Sequence, residues 1–278
     1  QRPLSLVRTP SHLKEHYMQA RALFATAALA VGAVAFAFPP TTQRFKVVET
    51  NHSVADLSAF GQGEQVTHVV TSSFVTLSAK DSAGGRSVKL VIDSIQLDSA
   101  SGAPLTQQAF DSARGIAVTG WVGPDGALST IVTDGPRGAA ATTILRALLP
   151  KVSNRARVGE RWTDTTQVEG SGEGVLAGAT TRRITNWAIG GEETVGGVRA
   201  RKVESAFSQT MSGSIEGPNG SLQIDGTGTG TALSLLAADG RHFGGNVSVS
   251  LSLAISIAQA PEPIPVTVTT SSIITTVR

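Results

Sequence analysis

The sequence contains no cysteine, and this absence removes several kinds of chemistry at once. Disulfide scaffolds, thiol nucleophiles, zinc–thiolate sites, iron–sulfur clusters and covalently attached haem all require cysteine. The lipid anchor of a bacterial lipoprotein requires it as well. We therefore expect a fold without covalent cross-links and no metal or cofactor held through sulfur.

Aromatic residues and charges are also scarce, at 5% and 16% of the 278 residues. The net charge of +2 is uneven, because Arg2, Arg8, Lys14 and Arg21 outnumber the single acid Glu15 at the start of the chain. Nucleic-acid-binding proteins usually carry clustered Lys and Arg with interleaved aromatic side chains. No such cluster occurs in the rest of the chain, so we predict no nucleic-acid partner.

The one long uncharged run is residues 22–38, which read ALFATAALAVGAVAFAF. As a helix it spans roughly 26 Å, slightly less than the ~30 Å hydrocarbon core of a bilayer. It is either a cleaved secretory signal, with Ala33-Val34-Ala35 as the cleavage site, or a retained transmembrane helix. We expect retention, because the segment forms part of the chain as it stands. Thr9-Pro10 is the predicted start of the helix and Pro39-Pro40 its predicted end.

Basic residues predict the orientation of this helix. Four Lys or Arg precede the span, whereas only Arg44 and Lys46 lie within about 20 residues after it. The positive-inside rule then predicts a cytoplasmic tail over residues 1–21, a span of the inner membrane over 22–38 and a periplasmic domain over 39–278.

The span also contains a predicted helix-packing site. Ala28 and Gly32 are four residues apart, a spacing that lets a second helix approach closely. An Ala-rich composition is the simpler explanation of the same spacing, and both interpretations stay open. The predicted partners of residues 22–38 are integral-membrane protein subunits and membrane lipid, and an extracytoplasmic partner is predicted for the domain that follows.

The rest of the chain alternates apolar and polar residues with period two and is rich in Val, Ile and Thr, which predicts β-strands. In residues 247–257 every odd position is apolar and the even positions are small. Short Gly-containing turns between the runs favour local hairpins. We therefore predict a mainly β domain, an antiparallel meander that forms a curved sheet or half-barrel. The predicted strands are Val66–Leu77, Ser87–Leu97, Gly115–Val122, Thr180–Ile189, Val198–Ser208, Ser221–Leu235, Asn246–Ile257 and Pro265–Val277.

One helix is predicted in this domain, over Ala139–Leu149, where apolar residues recur at helical spacing before Pro150. It lies between two groups of strands, and the basic stretch Pro150–Arg161 after it is predicted to be a loop. We expect the helix to pack across or beside the sheet of a single domain. The last strand has two open alternatives: it pairs back into the sheet, or it extends along a neighbouring molecule as an edge strand.

No motif indicates catalysis or a bound cofactor. The five histidines form no HxH or HExxH pair, and His12 and His16 have only Glu15 nearby as a third ligand. There is no GxSxG elbow, and the run 226–230 lacks the lysine of a phosphate-binding loop, so we predict a Gly-rich strand there. We therefore predict a protein that is not an enzyme, without catalytic, cofactor-binding or metal-binding residues. An enzyme whose site leaves no local motif is a weaker alternative.

The order of a basic tail at Arg2–Arg21, a span at Ala22–Phe38 and a β body after Pro39-Pro40 resembles the single-span accessory subunits of bacterial photosynthetic reaction centre–light-harvesting complexes. The resemblance covers the whole chain. It implies a structural, non-catalytic role. It also implies contacts with antenna helices through the span, and with the cytochrome or the core through the periplasmic face.

A second hypothesis rests on the body alone, which is similar to the half-barrels that carry lipids or lipoproteins in the periplasm. In such a carrier the helix predicted over 139–149 covers a concave apolar face that binds an acyl chain. The two hypotheses differ in the interior. A carrier needs a contiguous apolar cavity of roughly a few hundred Å³, whereas a structural subunit has a filled core.

Overall fold

The computed structural model describes residues 42–277 apart from 83–84, 103–104, 124–125, 134–137, 153–155, 170–178, 218–219, 238–239 and 258–261. The described residues form eleven β-strands and two α-helices, with a short 3-10 turn at Ser58–Phe60. In chain order the elements are β1 Thr42–Asp56, β2 Glu64–Ser82, β3 Gly85–Ser101, α1 Gln107–Asp111, β4 Ala117–Val122, β5 Leu128–Thr133, α2 Gly138–Leu148, β6 Arg161–Glu169, β7 Ala179–Val195, β8 Val198–Gly217, β9 Gly220–Ala237, β10 His242–Ile257 and β11 Ile264–Val277.

All eleven strands belong to one open antiparallel sheet with the order β5-β4-β3-β2-β1-β11-β10-β9-β8-β7-β6. Each half of the sheet is a meander of neighbouring strands, as the turn residues predict. The halves meet where β1 pairs with β11, with Ser53 opposite Val268. The last strand therefore pairs back into the middle of the sheet, which decides between the two alternatives that the sequence left open.

One face of the sheet is buried, and the two-residue period of the strands explains which side chains it takes. In β10 the buried side chains Val247, Val249, Leu251 and Leu253 alternate with exposed serines. We use "inner face" for the buried side of the sheet and "outer face" for the exposed side. Buried side chains from both halves of the sheet and from α2 form one contiguous core.

Glycines of the run 226–230 lie on the inner face of β9 and leave room for side chains of the adjacent strands. A Cβ atom on Gly228 would lie 2.3 Å from Cδ2 of Leu251, and one on Gly230 would lie 2.3 Å from Cζ of Phe207. Real Cβ atoms essentially never approach another atom so closely. The predicted Gly-rich strand is confirmed, and its glycines allow Leu251 and Phe207 to fill the core over the β9 backbone.

Helix α2 covers part of the inner face and packs on β3, β4 and β5. Ile144 and Leu145 are buried, and Cδ2 of Leu145 would lie 3.7 Å from a Cβ atom on Gly120 of β4. The positive charge of Arg146 in the same helix contributes to lowering the pKa of Arg183 of β7. Because β7 is near the other end of the strand order, the sheet must curl so that both of its ends approach α2.

The eight predicted strands each coincide with an observed strand, most of which are longer, and the predicted helix is correct to within one residue at each end. The prediction missed β1, β5, β6 and α1. Strand β1 was not predicted because the polar residues Glu49, Asn51 and Ser53 occupy inner-face positions, so its sequence does not alternate between apolar and polar residues. Strands β5 and β6 are the sheet edges, where fewer apolar residues are needed.

The predicted tail 1–21 and span 22–38, with Ala28 and Gly32, lie outside the described residues. Within the part of the chain that the structure describes, no helix combines the length and the apolar character needed to cross a bilayer. The described part of the predicted periplasmic domain begins at Thr42.

Candidate functional site

The outer face of β8 to β11 is lined mainly by serine and threonine, with Glu204 of β8 and Asp225 of β9 at its margins. Ser208 lies opposite Thr229, which lies opposite Ser250, which in turn lies opposite Thr269. Neighbouring rows repeat this arrangement, and all of these side chains are exposed. We name this surface the hydroxyl face. Its members are Ser208, Thr210, Thr227, Thr229, Thr231, Ser248, Ser250, Ser252, Thr267, Thr269 and Ser271.

The hydroxyl face has properties that suit contact with a partner. Sheet geometry places its side chains ~4.8 Å apart between strands and ~7 Å apart along a strand. Serine and threonine lose little conformational entropy when they are covered, and no ionised group has to lose its hydration. Ile273, in the next row of β11, is 54% exposed and adds an apolar side chain at the border.

An open depression of about 550 Å³ lies at one end of the hydroxyl face. Exposed Thr210, Thr227, Ser252 and Asp225 line it together with the inner-face side chains Met211 and Leu253. The depression therefore reaches residues of both faces at this end of β8 to β10.

The inner face carries polar groups on β1 and its two neighbours. Glu49 lies between Thr71 of β2 and Ser272 of β11 in the strand register. Among the described residues, no hydrogen bond or ion pair holds its carboxyl group. Burial raises the pKa of Glu49 to about 7, because surroundings of low polarity disfavour the carboxylate. Glu49 is therefore a carboxyl group that changes its protonation near neutral pH.

Two further polar groups next to Glu49 have unused hydrogen-bonding capacity. Asn51, which is 3% exposed, donates from Nδ2 to Oγ1 of Thr270 at 3.1 Å. Oδ1 of Asn51 and Oγ of Ser272 are both buried without a partner in the described part of the chain. Most buried polar atoms in proteins have a hydrogen-bond partner, so these two oxygen atoms are exceptions.

A second polar cluster lies on β7, β8 and α2. Arg183 is 3% exposed, and its Nε donates to Oε1 of Gln209 at 3.0 Å while its Nη2 donates to the same oxygen. Its guanidinium carbon lies 4.2 Å from the centre of the Phe207 ring. Nε of Arg146 is buried and has no hydrogen-bond partner within the segments that the structure describes. No carboxylate pairs with either arginine among the described residues.

The electrostatics of this cluster follow from burial and from the proximity of two like charges. Burial is the larger cause that lowers the pKa of Arg183 to about 9, and repulsion by Arg146 adds to it. Burial also lowers the pKa of Arg146. On the same inner face, Nε1 of Trp187 is buried and has no partner in the described part of the chain. Its ring stacks on Trp162 with ring centres 6.0 Å apart.

His242 is fully buried at the start of β10 and acts as a structural residue. Its Nδ1 accepts a hydrogen bond from the backbone N–H of Gly244 at 3.0 Å, and its ring meets that of Phe45 edge-on at 5.7 Å. Its backbone oxygen accepts from Nε2 of Gln43 and Oγ1 of Thr276. Burial lowers the pKa of His242 to about 4, so the ring is neutral at neutral pH.

The structure also brings together two histidines that are distant in sequence. His52 of β1 lies opposite His68 of β2, with ring centres 6.3 Å apart. In the described segments, no three His, Cys, Asp or Glu side chains are grouped so that they could hold a metal ion. His12 and His16 lie outside those segments.

Comparisons with known proteins add little to this description. No family model matches the sequence, and no curated protein matches it. Among solved structures, the chain is similar to a protein of Bacteroides fragilis NCTC 9343 that is described as a "putative exported protein with YmcC-like fold". The sequence identity is 10%, the match covers 88% of this chain and 100% of that chain, and the TM-score is 0.23. A likeness of this strength carries no argument about fold or function.

Sequence reasoning missed the two interior clusters and found only part of the hydroxyl face. The alternation in β10 placed serines on one face, but the sequence does not show that Ser250 lies between Thr229 and Thr269. Arg183 and Gln209 are separated by 26 residues, and no local pattern distinguishes Arg183 from its exposed neighbour Arg182. Cross-strand register is the information that was lacking.

Proposed function

We propose that the chain is a non-catalytic, membrane-anchored extracytoplasmic subunit that stabilises a larger membrane complex. The observation that carries this proposal is the hydroxyl face, a broad uncharged surface on β8 to β11. Protein interfaces are depleted of charge at their centres. A face of short side chains offers such a centre at a low cost in conformational entropy.

The interior supports a structural subunit over a carrier. Buried side chains from both halves of the sheet and from α2 are in mutual contact. The positions of Gly228 and Gly230 are covered by Leu251 and Phe207, so these glycines open no channel for an acyl chain. Such contact among the described core residues is expected of a protein that acts through its outer surface.

The proposed anchor is the uncharged run 22–38, with Ala28 and Gly32 as the positions at which a partner helix packs. The basic tail 1–21 then lies in the cytoplasm and the β domain in the periplasm. The resemblance to accessory subunits makes a photosynthetic reaction centre–light-harvesting complex the proposed partner. Antenna helices would contact the span, and the hydroxyl face would contact the extracytoplasmic part of the complex.

The test is comigration of the full chain with a large complex after native membranes are dissolved in mild detergent. A lysine at the centre of the hydroxyl face, in Thr229→Lys, should reduce recovery of the chain with the complex about tenfold or more, because its charge would have to be desolvated. Thr119→Lys makes the same change at an exposed position of β4 and serves as the matched control.

Two results would oppose the proposal. One is equal recovery of both variants with the complex, which would remove the hydroxyl face from the interface. The other is a native protein that begins after residue 38 and fractionates as a free periplasmic protein. That result would show that residues 22–38 do not anchor the mature protein.

A half-barrel carrier of lipid or another hydrophobic ligand is the second candidate. It is favoured by the curl of the sheet around α2, with Ile144 and Leu145 on the inner face. Lipid extraction of the purified full chain, followed by mass spectrometry, tests it. A stoichiometric lipid supports the carrier, and a purified chain that releases no lipid opposes it.

A further inference from the structure

We infer that His52 of β1 and His68 of β2 form a two-histidine site on the outer face of the sheet for a late first-row divalent metal ion, with Cu²⁺ preferred. This inference does not depend on the proposed role as a subunit. It rests on the register of the two strands, on the distance between the two rings and on the uncharged surroundings of the pair.

The sheet holds the two histidines side by side. His52 lies directly opposite His68, and directly opposite residues of antiparallel strands have Cβ atoms about 4.5–5.5 Å apart. Strands β1 and β2 pair from Thr42 to Asp56 without a register shift, and β1 pairs with β11 on its other side. Both backbones are therefore fixed before a metal ion binds, so that binding restricts only the rotation of two side chains.

The distance between the rings is compatible with one shared ion. An imidazole nitrogen binds a metal at about 2.0–2.1 Å, and the ring centre lies about 1.1 Å behind that nitrogen, so two rings on one ion have centres at most about 6.4 Å apart. The ring centres of His52 and His68 are 6.3 Å apart. His52 is exposed, so rotation of its side chain can bring the rings closer and give a smaller nitrogen–metal–nitrogen angle.

The nitrogens of both rings are available to a ligand. Among the described residues, no hydrogen bond or ion pair holds a ring nitrogen of His52 or His68. His242 differs, because its Nδ1 accepts from the backbone N–H of Gly244. A neutral imidazole with a free nitrogen is the commonest metal ligand in proteins.

The residues around the pair are uncharged. Thr269 of β11 lies opposite His52, and Ser101 of β3 lies opposite His68. The next positions along β1 and β2 on the same face are also neutral: Thr50, Val54, Val66 and Val70. No neighbouring cation in this set repels a metal ion, and no carboxylate in it offers an alternative ligand.

The acids of the surrounding outer face lie farther away. Asp56 and Glu64 are opposite each other, four residues along the two strands and therefore roughly 14 Å from the histidines. Asp98 of β3 accepts a hydrogen bond from Oγ of Ser72. The two imidazoles are thus the ligands that the protein offers at this position, and water fills the remaining coordination positions.

The ligand type determines which ion the site prefers. Imidazole suits copper, nickel and zinc, whereas Mg²⁺ and Ca²⁺ prefer oxygen ligands. Among first-row divalent ions, affinity for a given site of this kind rises to a maximum at Cu²⁺. We therefore expect Cu²⁺ to bind most tightly, Zn²⁺ to bind more weakly and Mg²⁺ not to bind.

The test is titration calorimetry of the full chain in a neutral detergent and a buffer that does not bind metals. The probes are Cu²⁺, Zn²⁺ and Mg²⁺, each alone. We expect saturable binding of one Cu²⁺ per chain at this site, and the electron paramagnetic resonance spectrum of the bound Cu²⁺ should show coupling to imidazole nitrogen.

Variants connect the binding to the two histidines. His52→Gln and His68→Gln should each weaken binding at least about tenfold, because loss of a ligand should cost no less than loss of a residue that only orients one, which costs roughly 10–100-fold. If one ion is shared, the double variant should bind no more weakly than either single variant. Two independent sites would instead each lose half of the bound metal, and this result would overturn the inference.

Two controls separate this site from other metal ligands of the chain. His12→Gln combined with His16→Gln removes the other closely spaced histidines, and Glu64→Gln removes a carboxylate of the same strand as His68. Both control proteins should bind Cu²⁺ as the wild type does. Loss of the binding in either control, with unchanged binding by His52→Gln, would overturn the inference.

Thermal unfolding provides a second readout that a purely structural role of the histidines would not give. Cu²⁺ should raise the thermal midpoint of the wild type and leave that of His52→Gln unchanged. Circular dichroism shows whether each variant is folded, and the exposed position of His52 keeps the test valid if His68 proves necessary for folding. Absence of saturable Cu²⁺ binding to the wild type, or equal binding by folded His52→Gln, would contradict the site.

Discussion

Replacing Glu49 by glutamine tests whether the inner face of β1 holds an uncompensated carboxyl group. The pKa of Glu49 is raised from its ordinary value of 4.5 to about 7 by burial. In the folded protein this group therefore keeps its proton at pH values where the unfolded chain has already lost it. The folded state binds more protons than the unfolded state between those two values, so the contribution of Glu49 to stability decreases as the pH rises through that window.

The magnitude follows from the same values. One pKa unit corresponds to about 1.4 kcal/mol, so the ionised carboxylate destabilises the folded state by up to about 3 kcal/mol at pH 8. Glutamine has nearly the same shape and no charge. We expect Glu49→Gln to match the wild type near pH 4 and to be more stable than it by up to about 3 kcal/mol at pH 8.

The assay is chemical unfolding of the full chain in neutral detergent at a series of pH values between 4 and 8.5. The quantity to compare is the difference between variant and wild type, because His242 titrates in an overlapping range and contributes equally to both proteins. Glu64→Gln, at an exposed position of β2, is the matched control. A difference between Glu49→Gln and the wild type that stays constant over the whole pH range would refute the reasoning.

Three further changes give independent expectations. The wild type should lose up to about 3 kcal/mol of stability between pH 6.5 and about 4, because the unfolded chain accepts a proton at His242 that the buried ring resists. His242→Phe should lack this contribution, so its stability should fall less over that pH range. At higher pH its unfolding should follow that of the wild type. Gly245→Ala should destabilise the fold by about 1–3 kcal/mol in urea unfolding, because its Cβ atom would lie 2.1 Å from the backbone oxygen of Leu233. Gly191→Ala is the control and should be nearly neutral, because its Cβ atom would meet no atom within 4 Å. Leu145→Ala should cost about 2–5 kcal/mol by loss of core contacts under α2, and an unchanged unfolding midpoint would contradict the packing of this helix.

The fold was predictable from the sequence where strands are apolar on one side only. β10 and β11 show this clearly, with serine and threonine on the outer face and Val, Leu and Ile on most of the inner face. The helix was predictable because Ile144 and Leu145 recur at helical spacing before Pro150. Strand β1 was not predictable, because Glu49 and Asn51 occupy positions that the alternation reserves for apolar residues.

The functional surfaces were predictable only in part, for a physical reason. Strand alternation determines which side of a strand a residue occupies, but register determines its neighbours on the adjacent strands. The hydroxyl face needs the register of four strands, and the histidine pair needs the register of β1 and β2. Neither property is encoded in a short segment, so His52 and His68 look like ordinary surface residues in the sequence.

The most direct test of the proposed interaction is site-specific photo-crosslinking in the native membrane. A benzophenone amino acid in place of Ser250 lies at the centre of the hydroxyl face, and the same residue in place of Thr119 lies on the exposed side of β4. We predict that irradiation joins the Ser250 derivative to one distinct membrane-complex protein and leaves the Thr119 derivative uncoupled. Uncoupled protein at both positions, or the same adducts from both, would contradict a role for this surface in holding the complex together.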